Sequence, residues 1–246
     1  SVLFDSLQRP IMTSANQVSS VLDPALEQDF LGFALKAEVL RFGEFKTKAG
    51  RRSPYFFNAG LFRTGDLIGE LAGFYARCFL KAVEAKVFQA SMLYGPAYKG
   101  IPLAATTAMA LSQHGCNLGF SFNRKEAKDH GEGGVIVGAS LEDQEVVIID
   151  DVISAGTSVR ESVAIIQQAG GRPVGVLIAL DRMEKGGSAA QPAAVSAVQE
   201  VRQTLGLPVV ALAGLDGLLE LLQGHTDSQL KRHWQAVEDY RKAWGS

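Results

Sequence analysis

Hydrophobic residues recur at two different spacings along the chain, and each spacing predicts one kind of element. Recurrence every three or four residues, as at Leu26, Phe30 and Phe33, predicts an amphipathic helix. Short apolar runs bounded by glycine, proline and polar residues predict buried strands. The helical spacing occupies residues 24–40, 65–85, 101–115, 158–171, 192–206, 215–222 and 229–243. The strand-like runs occupy residues 87–95, 118–122, 134–139, 145–150, 173–181 and 208–214, with a hairpin of two short strands within 40–60.

From about Val87 onward, the predicted strands alternate with helices. This alternation predicts an α/β fold in which a mainly parallel central sheet is flanked by helices. The first 22 residues are rich in serine, asparagine and glutamine, so we expect an N-terminal arm at 1–22. Residues 23–246 then form one domain. In such sheets, ligands bind beyond the carboxyl ends of the strands, so the loops after the strands are the candidates for chemistry.

Composition narrows the class of protein without naming a function. Apolar residues make up 47% of the 246 residues and charged residues 20%, which is typical of a globular protein. The formal net charge of −2 does not favour nucleic acid as a partner, and no apolar run is long enough to predict a membrane span. Cys78 and Cys116 lie in apolar segments, so we expect reduced, buried thiols and a cytoplasmic location.

Two adjacent acids, Asp150 and Asp151, follow a buried strand in the segment VVIIDDVISAGTSVRES. Neighbouring strand residues point to opposite faces, so we expect the two carboxylates to bind different hydroxyls, or a metal held by the ligand, rather than to share a proton. Gly156 allows a sharp turn, and the pair Ser158 and Glu161 predicts a capping box that begins a helix at Ser158. Since a free helix N-terminus binds phosphate, the segment as a whole predicts a site for a ribose 5-phosphate.

This segment resembles the signature of the type I phosphoribosyltransferases. The resemblance implies that fold, with a small hood built largely from residues 23–65, a core of about 66–215 and C-terminal helices at 216–244. It also implies binding of 5-phosphoribosyl 1-diphosphate with Mg²⁺, which is held mainly by diphosphate, ribose and water rather than by direct protein ligands. The implied ribose-phosphate site consists of Asp150, Asp151, Val152, Ile153, Ser154, Ala155, Gly156, Thr157 and Ser158.

Cations cluster in the segment FNRKEAKDHGEGG, which shows neither a helical nor a strand-like hydrophobic period. It is either a solvated surface loop or a glycine-hinged lid whose cations stabilise the charge of a departing diphosphate. The segment closely resembles the loop of the orotate phosphoribosyltransferases. That resemblance implies a homodimer in which Arg124, Lys128 and His130 serve the partner's site, while Lys125 serves its own.

Three further segments complete the resemblance to the orotate enzymes. The first, GPAYKGIPLA, implies diphosphate contacts from Tyr98 and Lys99, where a lone lysine would otherwise be a solvated charge. The hairpin segment FKTKAGRRSPYFFNAGLF implies that Lys48 contacts the phosphoribosyl ligand. The implied orotate contacts are Phe56, Phe57, Ser154 and Arg182. Ser154 stands where these enzymes commonly have threonine, and the hydroxyl is retained.

The resemblance therefore implies an orotate phosphoribosyltransferase of de novo UMP biosynthesis, with orotate and 5-phosphoribosyl 1-diphosphate as substrates. No side-chain nucleophile is needed, because the base nitrogen attacks an oxocarbenium-like centre. Two alternatives remain open: transfer to another base, or a non-catalytic regulator that senses the phosphoribosyl ligand. The residues predicted to act in catalysis are Lys99, Lys125, Lys128, Asp150 and Asp151.

Overall fold

The structure is a computed structural model that describes residues 21–128 and 134–246. Its helices are α1 (Pro24–Lys36), α2 (Gly65–Glu84), α3 (Gly100–Gln113), α4 (Thr157–Gln168), α5 (Ala197–Leu205), α6 (Leu215–Gly224), α7 (Ser228–Lys231) and α8 (Trp234–Trp244), with a short 3-10 helix at Ala59–Leu61. Its strands are β1 (Leu40–Lys46), β2 (Arg52–Phe57), β3 (Met92–Gly95), β4 (Gly119–Lys128), β5 (Gly134–Gly138), β6 (Glu145–Asp150), β7 (Arg172–Asp181), β8 (Lys185–Gly187), β9 (Pro192–Ser196) and β10 (Val209–Gly214).

In the described part of the chain, six strands form the central sheet in the order β10-β7-β6-β3-β4-β5. All neighbouring pairs are parallel except β4 and β5, which run antiparallel. Both faces of the sheet are buried: Val147 and Ile149 of β6 belong to one apolar cluster, and Val146 and Ile148 belong to the other. This confirms the predicted sheet, and it brings the carboxyl ends of β10, β7, β6, β3 and β4 to one edge.

Among the residues that the structure describes, two small hairpins lie outside the central sheet. One pairs β1 with β2, and the other pairs β8 with β9. The two are joined by Arg51, which is 3% exposed and donates hydrogen bonds to the carbonyl oxygens of Lys185 (2.6 Å) and Gly186 (3.0 Å). Arg51 is therefore part of the structural framework, although in the sequence it belongs to a cluster of hairpin cations typical of a solvated edge.

The prediction of one helix over 192–206 is wrong for its first five residues, which form β9. The helix begins only at Ala197, where the Ser196 and Gln199 side chains form a capping box with each other's backbone N–H groups. The predicted strand at 87–95 is shorter than expected, since only Met92–Gly95 pairs with its neighbours. The last predicted helix is divided into α7 and α8.

The prediction that no strand extends into the cation loop is also wrong. β4 continues to Lys128, and β5 starts at Gly134, with these two residues paired across the hairpin. A backbone ladder forms without an apolar period along the strand, so the hydrophobic pattern of this segment gave no signal of it. None of the helices within 21–128 and 134–246 combines the length and apolar content that a bilayer crossing requires.

Candidate active site

The backbone of the acid pair is fixed from both sides of the sheet end. The buried Tyr75 of α2 donates its hydroxyl hydrogen bond to the carbonyl oxygen of Asp150 at 2.8 Å. The carbonyl oxygen of Asp151 accepts from the backbone N–H of Ala179 in β7 at 2.9 Å. Because these bonds come from a helix and from the neighbouring strand, the two acids have a defined position at the end of β6.

The two carboxylates interact with each other electrostatically. Burial raises the pKa of Asp150 to about 7, and the negative charge of Asp151 adds to the shift. Asp151 is 6% exposed, and its Oδ2 pairs with Nζ of Lys99 at 2.7 Å. β6 ends at Asp150, so strand alternation does not govern the direction of the Asp151 side chain, and the binding of different hydroxyls by the two carboxylates stays a prediction.

The loop after the acids leads into a helix N-terminus without a side-chain cap. α4 begins at Thr157, and its N-cap is Gly156, whose φ of +67° favours glycine. The predicted capping box at Ser158 is wrong, since Ser158 lies inside the first turn and its hydroxyl donates to Oδ2 of Asp150 at 3.1 Å. Within the loop, Ile153 is buried in the core, Val152 is half-buried, and Ser154 and Ala155 are exposed. Among residues 21–128 and 134–246, no acceptor is bonded to the first N–H groups of α4, which can therefore bind an anion beside the acid pair.

Lys99 lies at the start of α3, next to the acid pair. The turn before it is compact, because a side chain at Gly95 would overlap the carbonyl group of Gly100. Lys99 also lines a cavity of about 360 Å³, whose wall includes Arg63 and Thr64 at the start of α2. Its ammonium group, with the side chain 57% exposed, therefore lies between the buried Asp151 and an open space that a ligand can enter.

The two described cations of the predicted lid lie at its base. Arg124 is half-buried and Lys125 exposed, and Nζ of Lys125 lies 4.8 Å from the ring centroid of Tyr98. The Tyr98 side chain is 68% exposed, which is unusual for an aromatic residue. Lys128 ends β4, and its side chain and the whole of His130 lie outside the described residues.

The phenylalanine pair of the β1–β2 hairpin is divided between its two faces. Phe57 packs in the core against Phe30, whereas Phe56 is half-buried and stacks on Phe45 with 5.3 Å between ring centroids. The two rings therefore point to opposite faces of β2, and Phe57 is the core residue of the pair. Lys48 is exposed in the turn that joins β1 to β2.

Arg182 follows the end of β7 and is half-buried rather than a free surface arginine. Its Nη2 donates to Glu184 Oε1 at 2.6 Å and to Ser53 Oγ at 3.2 Å. The guanidinium lies over the ring of Tyr55, 4.7 Å from its centroid. Ser53 and Tyr55, which Arg182 contacts, point to one face of β2, and Phe56 points to the other. The structure therefore does not bring Phe56 and Arg182 to the same face of the hairpin.

Comparison with known proteins identifies the family. A sequence profile described as "Phosphoribosyl transferase domain" matches residues 75–199. The orotate phosphoribosyltransferase of Cupriavidus necator is 57% identical over 220 residues, which cover 89% of this chain and 95% of the relative. That of Bordetella pertussis is 57% identical over 221 residues, covering 88% and 96%. The chain belongs to the orotate phosphoribosyltransferase family.

A solved structure supports the same conclusion about the fold. The crystal structure of the Francisella tularensis orotate phosphoribosyltransferase is 36% identical in sequence and aligns with a TM-score of 0.76, covering 89% of this chain and all of that one. The predicted type I phosphoribosyltransferase fold, family and enzyme class are therefore confirmed. The chain is an orotate phosphoribosyltransferase with a mainly parallel sheet flanked by helices.

Several residues of this orotate phosphoribosyltransferase site carry no signal that sequence patterns alone reveal. Tyr75 lies on the apolar face of α2, where an aromatic residue is usually part of the core. Arg63 and Thr64 form an ordinary polar start to α2, and only the cavity shared with Lys99 places them at the site. Glu184 has one sequence feature, its position two residues after Arg182. Its role depends on contacts with residues distant in sequence.

Proposed function

We propose that the chain transfers the 5-phosphoribosyl group from 5-phosphoribosyl 1-diphosphate to orotate, giving orotidine 5-phosphate and diphosphate in de novo UMP biosynthesis. One observation carries the assignment of the site: the half-buried Asp150, the buried Asp151 with its paired lysine, and a helix N-terminus without a side-chain cap meet at the end of β6. Acids suited to ribose hydroxyls beside an anion cradle are what this donor requires.

The ribose-phosphate half of the donor is assigned to the acid pair and the loop after it. Asp150 and Asp151 accept hydrogen bonds from the ribose hydroxyls. The 5-phosphate lies at the N-terminus of α4, where the backbone N–H groups and the hydroxyls of Thr157 and Ser158 donate to it. Supporting this, Ser154 and Ala155 are exposed and α4 has no side-chain cap. The rest of the loop, Val152, Ile153 and Gly156, contributes its backbone.

The diphosphate half of the donor is assigned to cations and one tyrosine around the same edge of the sheet. Lys99, Tyr98 and Lys125 act from the chain's own side, and Lys48 reaches the ligand from the β1–β2 turn. As the bond between C1 and the diphosphate oxygen breaks, its electron pair leaves with diphosphate, and N1 of orotate forms the new bond to C1. Fixed cations stabilise the developing charge on diphosphate more than they stabilise the bound donor. We propose that Lys99 exchanges its ion pair with Asp151 for one with the diphosphate. The half-exposed position of the Lys99 side chain supports this.

Orotate is assigned to Phe56, Phe57, Ser154 and Arg182. The half-buried guanidinium of Arg182 suits a carboxylate or a pyrimidine oxygen, and the exposed hydroxyl of Ser154 suits a hydrogen bond to the ring. Because Phe56 and Phe57 project from opposite faces of β2, we propose that the pair contributes through its position at the end of the strand rather than by both rings stacking on one ligand.

The residues at the acid pair fit Mg²⁺ as the cofactor. Carboxylate oxygens are ligands that Mg²⁺ prefers, and it usually keeps several waters and binds substrate phosphates as well. Burial and the negative charge of Asp151 raise the pKa of Asp150. A cation bound nearby would favour the charged form of both carboxylates. When bound, the ion neutralises charge on the diphosphate.

We also propose a homodimer in which the β4–β5 hairpin supplies Arg124, Lys128 and His130 to the partner's site. In support of this, β4 and β5 lie at one edge of the central sheet, and their pairing extends to Lys128 and Gly134. A mixture of Asp150→Ala and Lys128→Ala chains tests this, because one site of the mixed dimer would regain both residues. Mixed dimers that form but stay inactive would disprove the shared site. Free thiols at Cys78 and Cys116 support a cytoplasmic location.

The decisive test of the proposed reaction is depletion of orotate, followed by its absorbance. We expect depletion only when both Mg²⁺ and 5-phosphoribosyl 1-diphosphate are present, with diphosphate released in equal amount. A panel of other pyrimidine and purine bases, under the same conditions, measures selectivity. Consumption of the donor with another base, and none with orotate, would overturn the assignment of orotate.

A further inference from the structure

Glu184 lies at the centre of a buried polar cluster beside Arg182. Its Oε1 accepts from Nε of Arg182 at 2.8 Å, from Nη2 of Arg182 at 2.6 Å and from the hydroxyl of Tyr55 at 3.2 Å. The Glu184 side chain is only 13% exposed. One carboxylate oxygen therefore fixes one edge of the guanidinium in two bonds, and the ring of Tyr55 supports its face.

The segment that carries Glu184 is itself held from behind. Arg51 binds the carbonyl oxygens of Lys185 and Gly186, and its guanidinium packs over Trp244, 4.6 Å from the ring centroid. The chain end adds a backbone bridge between Glu184 and Gly245. A carboxylate on a segment fastened in this way has little freedom to move, which suits a group that must hold another in place.

The charges of the cluster leave a positive excess. Arg51 and Arg182 contribute two positive charges, and Glu184 contributes one negative charge. The second carboxylate oxygen of Glu184, Oε2, lies 3.8 Å from Nη1 of Arg51. Arg182 donates to Glu184 through Nε and Nη2 and to Ser53 through Nη2. None of these three hydrogen bonds uses its Nη1. The pair with Glu184 thus orients Arg182 without cancelling the attraction of the cluster for an anion.

We propose that Glu184 is a positioning residue for the pyrimidine substrate: it fixes the guanidinium of Arg182 so that the remaining donors bind the substrate's carboxylate or ring oxygen. This inference rests on the proposed role of Arg182 in binding orotate. It adds that the affinity for orotate, and not for the phosphoribosyl donor, depends on a residue that does not touch the substrate.

The test is steady-state kinetics of Glu184→Gln with both substrates varied. We expect the KM for orotate to rise about 10-fold, the scale of one charge-assisted hydrogen bond, and the KM for the donor to change less than about 2-fold. Glu238→Gln is the matched control, since Glu238 is similarly buried and pairs with Arg241 on α8. Like Glu184→Gln, it should lower thermal stability, but it should leave both KM values unchanged.

A double-mutant cycle shows whether Glu184 acts through Arg182. In the Arg182→Gln background, adding Glu184→Gln should raise the KM for orotate by no more than about 2-fold, because the group to be positioned is gone. Additive effects, or equal rises in both KM values for Glu184→Gln alone, would overturn the proposal. Failure of the wild-type enzyme to consume orotate would instead overturn the proposed function.

Discussion

Two helices of this fold start at the same edge of the sheet but receive their N-terminal partners from different sources. α4 follows β6, and α6 follows β10, two strands away, and each has a glycine as its N-cap with no side-chain cap of its own. At α6, Oε1 of the buried Glu27 accepts from the N–H of Gly214 at 2.7 Å. At α4, no such carboxylate from another element is bonded to the first N–H groups in the described part of the chain.

The difference shows how the molecule separates a structural junction from a ligand site. A helix N-terminus carries partial positive charge and unpaired N–H groups, which need an anion or an acceptor. The chain supplies one to α6 internally and fills the remaining space, so that a side chain at Gly217 would overlap the Glu27 carboxylate. It leaves α4 open beside Asp150 and Asp151, where the proposed 5-phosphate would supply the negative charge.

The strongest way to break this contrast is to give α4 a carboxylate of its own, by Thr157→Glu. Thr157 is the first residue of α4 and is exposed. We expect the KM for the phosphoribosyl donor to rise roughly 10²-fold, because a fixed negative charge at the phosphate position repels the ligand. The same change should raise the free energy of unfolding by about 0.3–1 kcal/mol through the helix dipole.

Thr157→Gln is the control for that experiment, since it has the same shape without the charge. It should raise the KM for the donor much less than Thr157→Glu does and should give no dipole stabilisation. Kinetics and chemical denaturation of the two variants measure both effects. Equal donor KM values in the two variants would show that the N-terminus of α4 does not bind the phosphate.

A second change disturbs the filled junction instead of the open one. In Gly217→Ala, the new methyl group overlaps the Glu27 carboxylate and forces it off the start of α6. We expect a loss of about 1–3 kcal/mol in the free energy of unfolding, as for other overpacked sites. Gly73→Ala is the control, because a Cβ there meets nothing within 4 Å and should stabilise α2 slightly. Since this junction is not a ligand site, the KM for the donor should not change.

The contrast also marks the limit of prediction from sequence. Strand and helix periods predicted the sheet and a helix from residue 24, and the start of α1 is fixed by a neighbour in sequence, since the Asp23 side chain accepts from the N–H groups of Ala25 and Leu26. These signals are local. The pattern of Ser158 and Glu161, which predicted a capping box, is equally local. The Ser158 hydroxyl instead donates to Asp150, because the chain turns back at Gly156.

Contacts between distant residues carried no sequence signal at all. Glu27 caps α6 across almost the whole length of the chain, and Arg51 fastens the segment after Glu184. Neither residue stands out in sequence, since a glutamate in the first turn of α1 and an arginine in a hairpin are both ordinary surface residues. The acid pair was identified because its chemistry is contained in one loop, whereas the residues that support the site come from elsewhere in the chain.

The smallest expected effect tests the charge of Glu27 itself. Burial raises the pKa of Glu27 above its ordinary value of 4.5, Glu220 and Asp216 raise it further, and the bond from Gly214 lowers it, without reversing the shift. The folded state therefore holds the proton more tightly than the unfolded state, so stability falls as the pH rises through this range. We expect Glu27→Gln, which keeps an oxygen for Gly214, to be more stable than wild type at about pH 8, with the difference shrinking towards pH 4.5. Denaturation at several pH values measures this, with Glu70→Gln as control, since Glu70 is exposed on α2 and is not among the charged groups that shift the pKa of Glu27. A variant less stable than wild type at every pH would show that α6 needs the charged carboxylate.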